Sequence, residues 1–565
     1  MFKGLAAVDG YGIGNVFIIK EANLSFTPKS NCKPDKEWKR YKKAIEQFSL
    51  ETTKTAQKAL ATLGKNEADI LYSYIAMGED LYLNNEIHRL IENGECAESA
   101  ISSACDTFIS MLYSSEDEIF KQRAADLKDI KNTVLAILLG KKRINLADVP
   151  PKSVLVADAI TPSIMAQIDK ENIVAIITET GGKTSHAAII ASTLSIPTVL
   201  ALKGATEKLE NSQRVIVDGF KGIIISDPQS AQIEYYRRKK DEYLKQKAAL
   251  ATFLDKPTLS ADNKKFKLLA NISSEHETNL VLENGAEGIG LFRSEFLFLN
   301  RESAPSEREQ FNAYKQAIIQ MGQKEVTIRL LDVSEDKKEP YLLKKTNEPI
   351  FSLRGVRFLL KNKPVLRTQL RAILRASAFG NVKILIPFVT NLQEIIAVKK
   401  MIEEICLKLD SDGMKYKKDI KIGAMIETPA AAIGADILAK QVDFFSIGTN
   451  DLIQHMLIVD RGTFSDIYSP FAPAILRSIQ AVCKSAKKAK KPVCVCGEAA
   501  ADPSLIPVFM AFGVSELSVA PRKILPLRKE FSKYTLAEAK EITDKAMSLE
   551  GKSEIEKELK QVQLF

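Results

Sequence analysis

The chain has little of the residue types that most often carry chemistry or crosslinks. It contains four histidines, one tryptophan and seven cysteines among 565 residues. An odd number of scattered cysteines in a long chain indicates free thiols in a reducing compartment and excludes a fold built on disulfides. No apolar run reaches the roughly 20 residues of a membrane span, and MFKGLAAVDG lacks a signal-peptide core. We therefore expect a cytoplasmic protein without membrane insertion.

The charge balance is mildly basic. Lysine and arginine number 80 against 71 acidic residues, which gives a net charge of +9. The basic runs at 237–240 and 487–491 are short, lie in helix-like contexts and have no aromatic residues between the charges. Such runs are typical of solvated helix faces, so nucleic acid is not an expected partner.

Composition changes along the chain, and each change predicts a domain boundary. After a glycine-rich opening strand, residues 35–139 carry apolar side chains at helical spacing with little glycine or proline. Beyond Pro150-Pro151, short apolar runs between turn residues predict the strands of an α/β unit. The predicted parts are an α/β domain (1–20 with 146–228), an inserted all-helical subdomain (21–145) and a helical linker (229–256).

From residue 257 onward, strand-like and helix-like stretches alternate. Eight strand-like runs leave room for a helix after each, and eight β/α repeats over about 300 residues predict a closed (β/α)8 barrel at 257–565. The runs are 265–271, 288–292, 326–331, 382–388, 420–426, 442–447, 492–496 and 516–519.

Polar side chains end one predicted barrel strand after another, at the end where such barrels carry their active sites. Arginine forks bind phosphate and carboxylate, and carboxylates suit Mg²⁺ carried with a phosphorylated substrate. Any one arginine alone fits a surface ion pair better, but their succession predicts a site for a small anion bearing both groups. The residues are Arg293, Arg329, Glu427, Asn450, Asp451 and Cys496, with Arg461 in a following loop.

Two of the cysteines are close in sequence, in the stretch Cys494-Val495-Cys496. On a strand these two side chains point to the same face, but no second cysteine pair or spaced histidine accompanies them as a zinc site requires. We interpret Cys494 as a buried cysteine. Cys496 lies at the strand end, where its thiol can act as an acid.

The stretch GGKTSH at 181–186 follows the predicted strand 173–178. A strand, a glycine turn and a helix start together attract anions, because the first N–H groups of a helix are free and its dipole is positive there. His186 would be a neutral nucleophile in this place, with Thr184 and Ser185 as hydroxyl donors. A purely structural histidine remains the alternative until a phosphoryl donor site supports the first interpretation.

Taken together, these motifs resemble the phosphoenolpyruvate-utilising enzymes, and among them the Enzyme I proteins of the bacterial sugar phosphotransferase system. GGKTSHAAIIA is similar to that family's phosphohistidine signature. The barrel motifs resemble those of the family in order and separation, and the resemblance covers nearly the whole chain. They are GAEGIGLFRSEFLFLNR, IETPAAA, DFFSIGTNDLIQ, VDRG and CGEAAAD.

The resemblance implies a role for each candidate residue. His186 would take the phosphoryl group of phosphoenolpyruvate through Nε2 and pass it to the carrier protein HPr, and Cys496 would protonate the enolate as pyruvate forms. HPr would bind the helical subdomain, and the barrel would form a homodimer. Phosphoenolpyruvate would be held by Arg293, Arg329, Asn450, Asp451 and Arg461, and Mg²⁺ by Glu427 and Asp451.

The chain departs from the family pattern at several positions. Ser334-Glu335 replace two glycines near the expected phosphate, and in the stretch EPIFSLRGVR Glu348 replaces an asparagine and Ser352 a glycine, while Arg354 is retained. Tyr74 occupies a histidine position in the HPr-contact stretch. These departures keep open a regulatory paralogue with weak or altered phosphotransfer. A third alternative is a fragment-like relative of pyruvate phosphate dikinase or phosphoenolpyruvate synthase, but those enzymes need a further nucleotide-binding domain, and we expect none here because the sequence offers no convincing glycine loop for ATP.

Overall fold

The structure, a computed structural model, divides into two compact units, Met1–Gln246 and Lys247–Phe565. It describes all residues except 20–23, 31, 63–64, 114–117, 142–145, 147–148, 162–163, 165–166, 170, 183–190, 192–193, 300, 302, 333–352, 461–466 and 562–565.

The first unit contains a mixed β-sheet. Its strands are β1 (Phe2–Lys3), β2 (Leu5–Val8), β3 (Tyr11–Ile18), β4 (Ser153–Ala157), β5 (Ile173–Thr178), β6 (Thr198–Leu200), β7 (Arg214–Asp218) and β8 (Ile223–Ser226). They lie in the order β1-β8-β7-β3-β4-β5-β6-β2, and β3 to β6 are parallel. The central strands β4 and β5 are almost wholly apolar because both faces of the sheet are covered there.

Helices are inserted between β3 and β4, as predicted. They are α1 (Pro34–Thr62), α2 (Lys65–Gly78), α3 (Leu81–Glu92), α4 (Ala97–Tyr113) and α5 (Glu118–Leu138). Their apolar faces form one core, in which Tyr41, Phe48, Ile87, Ile101 and Val134 are buried. The helical spacing of apolar residues in this segment therefore reports a bundle with its own core.

Two more helices, α6 (Ala205–Lys208) and α7 (Ser230–Ala251), follow in the chain. Helix α7 has no buried residue. Its Tyr236 packs edge-on against Tyr11 of β3, and its Tyr243 packs against Phe220 in the turn between β7 and β8. The domain limits and the linker 229–256 stay predictions.

The second unit is a closed barrel of parallel strands. They are β9 (Lys267–Ile272), β10 (Gly288–Arg293), β11 (Glu325–Arg329), β12 (Val382–Ile386), β13 (Lys421–Ile426), β14 (Phe444–Gly448), β15 (Val493–Cys496) and β16 (Glu516–Val519). Each strand pairs with the next in parallel, and β16 closes on β9. The predicted (β/α)8 fold is confirmed, and every predicted run overlaps one strand.

Helices alternate with the barrel strands along the chain and pack around them. They are α8 (Thr278–Glu283), α9 (Glu307–Met321), α10 (Val356–Lys361), α11 (Lys363–Ala376), α12 (Leu392–Ser411), α13 (Pro429–Ile433), α14 (Ala435–Leu438), α15 (Thr449–Leu457), α16 (Pro473–Lys488), α17 (Ile506–Phe512), α18 (Ile524–Phe531), α19 (Leu536–Met547) and α20 (Lys552–Gln561). Capping boxes at Ser306, Asn391 and Thr535 fix the starts of α9, α12 and α19. Across the described residues, no helix is both long and apolar enough to cross a membrane.

An apolar cluster lies inside the barrel below its C-terminal rim. Leu291, Leu385, Met425, Phe444 and Cys496 form one buried cluster inside the strands. Because the strands are parallel, the polar residues that end them gather at a single rim. The fold therefore concentrates the candidate residues of five separate sequence motifs around the mouth of one barrel.

Candidate active site

Most of the predicted site residues lie at the C-terminal rim of the barrel. Two predicted residues, His186 and Arg461, lie outside the described residues, as do Thr184, Ser185, Ser334, Glu335, Glu348 and Ser352. The residues at the rim are Arg293, Arg329, Glu427, Asn450, Asp451 and Cys496.

Two arginines stand side by side at the rim. Arg293 ends β10, Arg329 ends β11, and the two residues are partners in the register of the paired strands. Arg329 is buried, and its Nη2 lies 2.7 Å from Glu295 Oε1. Burial alone lowers the pKa of Arg329, but the carboxylates of Glu295 and Asp332 outweigh it, and the pKa is raised. The guanidinium is thus held charged and oriented, ready for an anionic ligand.

Glu427 follows β13 and is fully buried. Its Oε1 accepts a hydrogen bond of 2.6 Å from the backbone N–H of Phe388. Its Oε2 has no hydrogen-bond partner among the described residues. Burial and the nearby carboxylates of Asp451 and Asp332 raise the pKa of Glu427 to about 8. A buried carboxylate oxygen in an acidic neighbourhood is short of positive charge, which is what a bound cation supplies.

Asn450 and Asp451 begin helix α15 directly after β14. The Asn450 side-chain oxygen accepts from the backbone N–H of Glu498 at 3.0 Å, which ties this helix start to the loop after β15. Asp451 Oδ1 lies 2.7 Å from Nη1 of Arg354. Both side chains are therefore fixed by residues in loops that follow other strands of the barrel.

The carboxylates Glu427 and Asp451 fit a small hard cation. Mg²⁺ is commonly held by one or two carboxylates, with water and substrate phosphate oxygens completing its coordination. No group of three or more potential protein ligands occurs among the described residues, as a site built wholly of protein ligands would require. The donor set fits a divalent cation that arrives with a phosphorylated substrate.

Cys496 ends β15, and its thiol faces the apolar cluster inside the barrel. The Ser446 hydroxyl donates a hydrogen bond to Cys496 Sγ at 3.6 Å. Burial raises the pKa of the Cys496 thiol to about 11, and the hydrogen bond from Ser446 opposes this shift. The thiol is therefore protonated near neutral pH and can serve as a proton donor.

The turn that leads to His186 is anchored on both sides. Strand β5 ends at Thr178, as predicted, and the backbone N–H and hydroxyl of Thr180 donate to the carbonyl of Asp158 at 3.0 and 2.9 Å. The Glu179 carboxylate accepts from the backbone N–H groups of Gly204 and Thr206 at the start of α6. The segment entering GGKTSH is thus fixed to two neighbouring loops.

Tyr74, which occupies the position of a family histidine in the expected HPr-contact stretch, has its side chain buried in the helical core. Its hydroxyl donates to Asp126 Oδ1 at 3.0 Å. In the same stretch, Leu81 and Tyr82 at the start of α3 are largely exposed, and Tyr82 is 80% accessible. Tyr82 is therefore accessible at this surface, whereas Tyr74 is not.

Sequence reasoning did not assign a site role to Arg354, Phe388 or Glu295. Arg354 donates to both oxygens of Asp332 at 3.1 Å and also reaches Asp451. Its only sequence signal is the retained arginine in EPIFSLRGVR, and its partners lie far away along the chain. Phe388 follows β12 and contacts the Arg354 guanidinium. The site therefore holds three arginines and four carboxylates among the described residues.

The barrel rim combines two neighbouring arginines, two carboxylates suited to a divalent cation and a protonated buried thiol. Such a site is that of an enzyme acting on small phosphorylated acids. Comparison with known families agrees with this class. The profile described as "PEP-utilising enzyme, PEP-binding domain" matches residues 247–536. Two further profiles of these enzymes, the mobile domain and the N-terminal domain, match residues 149–222 and 3–123.

Whole-length relatives narrow the class. The phosphoenolpyruvate-protein phosphotransferase of Bacillus subtilis is 38% identical over 557 residues, covering 98% of both chains. Those of Staphylococcus carnosus and Mycoplasma capricolum are 37% and 36% identical, each covering 98% of this chain and 97% of the relative. A solved structure of an Enzyme I protein is 33% identical over 43% of this chain, but its TM-score of 0.39 supports no argument.

This chain belongs to the phosphoenolpyruvate-protein phosphotransferases, within the family of PEP-utilising enzymes. It is an enzyme, and the family resemblance read from its motifs is confirmed. Enzymes of this family need a divalent metal, in keeping with the carboxylate pair at the rim. Neither the relatives nor the site geometry favours the regulatory alternative.

Proposed function

We propose that this enzyme transfers the phosphoryl group of phosphoenolpyruvate to its own His186 and then to a histidine of the carrier protein HPr. Pyruvate is released, and the reaction is the first step of the sugar phosphotransferase system. The observation that carries the proposal is the rim of the barrel, where Arg293 and Arg329 end neighbouring strands and the buried Oε2 of Glu427 has no hydrogen-bond partner among the described residues. The whole-length match to phosphotransferases of this kind supports it.

In this proposal the rim residues position the substrate. Arg293, Arg329 and Arg461 bind the phosphate and carboxylate, and Asn450 and Asp451 contribute at the phosphate. Glu427 and Asp451 would hold Mg²⁺, which neutralises charge on the phosphoryl oxygens when it is bound. Phosphoryl transfer needs positioning and charge neutralisation more than covalent assistance, so this residue set suits the reaction.

His186 and Cys496 perform the two chemical roles in the proposal. His186 attacks the phosphorus, and the phosphohistidine splits one difficult transfer into two easier ones. The enolate that leaves is protonated at carbon by the Cys496 thiol, and pyruvate results. Support for His186 comes from the GGKTSH stretch and from the mobile-domain match over residues 149–222.

The proposed carrier site is the helical subdomain. Leu81 and Tyr82 at the start of α3 expose apolar surface, which is a common mark of a protein-binding face. HPr is the carrier that we propose. Label transfer to each form would distinguish an HPr of the sugar system from a regulatory variant. The cytoplasmic location also stays a prediction.

Label transfer to HPr is the test of the proposed function. With labelled phosphoenolpyruvate and Mg²⁺, the enzyme should become labelled and should then pass the label to HPr of the same organism. A Tyr82→Asp variant should still label itself but pass the label on at least about tenfold more slowly, since a charge enters an apolar contact. A labelled enzyme that never labels HPr would instead support the regulatory alternative.

The barrel is also proposed to form a homodimer. Ile433, Ile437 and Ile458 are exposed on or beside α13, α14 and α15, and Ile458 is 93% accessible. Exposed apolar side chains on neighbouring elements are costly in water and typical of a surface that a partner covers.

A charged residue should disrupt this proposed dimer interface. Ile458→Asp is expected to shift the enzyme from dimer to monomer in sedimentation analysis at micromolar concentration, because a buried unpaired charge is strongly unfavourable. Ile319→Asp is the matched control, since Ile319 is an exposed isoleucine on α9, on a different helix of the same barrel. An Ile458→Asp protein that remains dimeric would remove this surface from the interface.

A further inference from the structure

Phe388 occupies an unusual backbone position at the barrel rim. It follows β12 with a φ of 53°, a region that a bulky side chain rarely adopts. Its N–H donates to Glu427, and its ring is nearly perpendicular to the His455 ring, with 5.1 Å between centroids. Such a conformation persists only where the surroundings hold it in place, and it is found most often at functional sites.

The face of the Phe388 ring supports Arg354. The Arg354 guanidinium carbon lies 4.4 Å from the ring centroid, within the range of a cation–π contact. The same guanidinium donates one hydrogen bond of 3.1 Å to each carboxylate oxygen of Asp332, and its Nη1 lies 2.7 Å from Asp451 Oδ1. One cation therefore bridges two carboxylates while an aromatic ring covers its face.

Gly355 makes this arrangement possible. It follows Arg354 directly, has a φ of 55°, and a Cβ placed on it would lie 2.4 Å from the Cβ of Phe388. Only glycine tolerates both the backbone conformation and the close approach. The close approach of Gly355 to Phe388 thus keeps the Arg354 side chain beside the Phe388 ring.

We propose that Phe388 is a positioning residue that clamps Arg354 onto Asp451 as a counter-cation in the metal-free enzyme, so that Arg354 and the divalent metal compete for one carboxylate. Two cations on the same carboxylate oxygen repel each other, so the metal binds when Arg354 releases Asp451. The bidentate contact with Asp332 lets Arg354 make this exchange without leaving the rim. The inference rests on the proposed function in one respect, the assignment of Glu427 and Asp451 as metal ligands.

Binding of Mn²⁺ alone, without phosphoenolpyruvate, tests the clamp. Mn²⁺ accepts the same oxygen ligands as Mg²⁺, and its free fraction is read by electron paramagnetic resonance. Phe388→Leu keeps an apolar side chain and the backbone N–H to Glu427 but removes the ring face. We expect Mn²⁺ to bind this variant more tightly, by between about twofold and thirtyfold, the range of a cation–π contact. Phe388→Tyr keeps the ring and should match the unaltered enzyme.

The direction of the change separates a clamp from a structural role. Mere damage to the rim would weaken Mn²⁺ binding, whereas loss of a competitor strengthens it. Unchanged or weaker binding in a folded Phe388→Leu protein, or equal tightening in Phe388→Tyr, would overturn the clamp. If the Phe388→Leu protein does not fold, Arg354→Gln provides the test. Competition between Arg354 and the metal requires that Mn²⁺ also binds the Arg354→Gln protein more tightly than the unaltered enzyme. Unchanged or weaker Mn²⁺ binding in that variant would reject the proposal.

Variants of the metal ligands distinguish the two ways in which the inference can fail. Glu427→Gln and Asp451→Asn should each lose most of the Mn²⁺ binding of the unaltered enzyme. If both retain it, the proposed metal site is wrong and the clamp falls with it. If both lose it while Phe388→Leu shows no tightening, the metal site stands and the clamp alone is rejected.

Discussion

A His186→Ala variant is expected to take up no acid-labile label from phosphoenolpyruvate and to pass none to HPr. The imidazole is the proposed nucleophile, and the hydroxyls of Thr184 and Ser185, which precede it in the sequence, are far weaker nucleophiles near neutral pH. The measurement is incubation with labelled phosphoenolpyruvate and Mg²⁺, followed by separation in base, where a phosphohistidine survives. The expected loss is complete within detection.

The other three histidines provide the control for this experiment. His88, His276 and His455 lie at other sites, and the His276 side chain is 75% accessible to solvent. A His276→Ala protein should therefore label as the unaltered enzyme does. Full labelling of His186→Ala, or loss of label in His276→Ala, would move the phosphorylated residue elsewhere in the chain.

The barrel could be predicted from the sequence because each of its strands produces a recognisable pattern of neighbouring residues. Strands buried on both faces appear as short continuous apolar runs, and the runs at 288–292 and 492–496 each overlap one strand. The rule that active sites lie at the C-terminal strand ends then brought Arg293, Glu427 and Cys496 together without any knowledge of contacts. Local pattern and a topological rule were sufficient for these three residues.

Other features depend on contacts between segments that are distant in the chain, and no local sequence pattern predicts them. Strands β1 and β2 are too short to show alternation, and they exist because β8 and β6 pair with them. The resemblance aligned Tyr74 with a family histidine but did not predict its burial. That burial depends on how α2 packs against α5, where the Tyr74 hydroxyl donates a hydrogen bond to Asp126. The partners of Arg354 lie 22 and 97 positions away, so its charge alone could not reveal its role.

A Cys496→Ala variant is expected to form pyruvate about 100- to 10,000-fold more slowly, the usual contribution of a positioned general acid. Burial raises the pKa of the thiol to about 11, so it carries its proton throughout the neutral range and the wild-type rate should not fall through Cys496 as pH rises from 6 to 9. Substrate binding rests on the arginines, so KM should change little. Pyruvate release is followed by a coupled reduction.

Cys494 is the matched control because it lies on the same strand, two residues earlier, and is also buried. Its thiol lies toward the opposite end of the barrel from the rim, where Glu516 and Lys383 contribute to its environment. Cys494→Ala should therefore turn over within about threefold of the unaltered enzyme, since only packing is altered. Equal slowing in the two variants would assign the effect to packing of β15, whereas an unaltered rate in Cys496→Ala would remove the thiol from the mechanism. A slow Cys496→Ala beside an active Cys494→Ala is the result that a proton donor at the strand end requires.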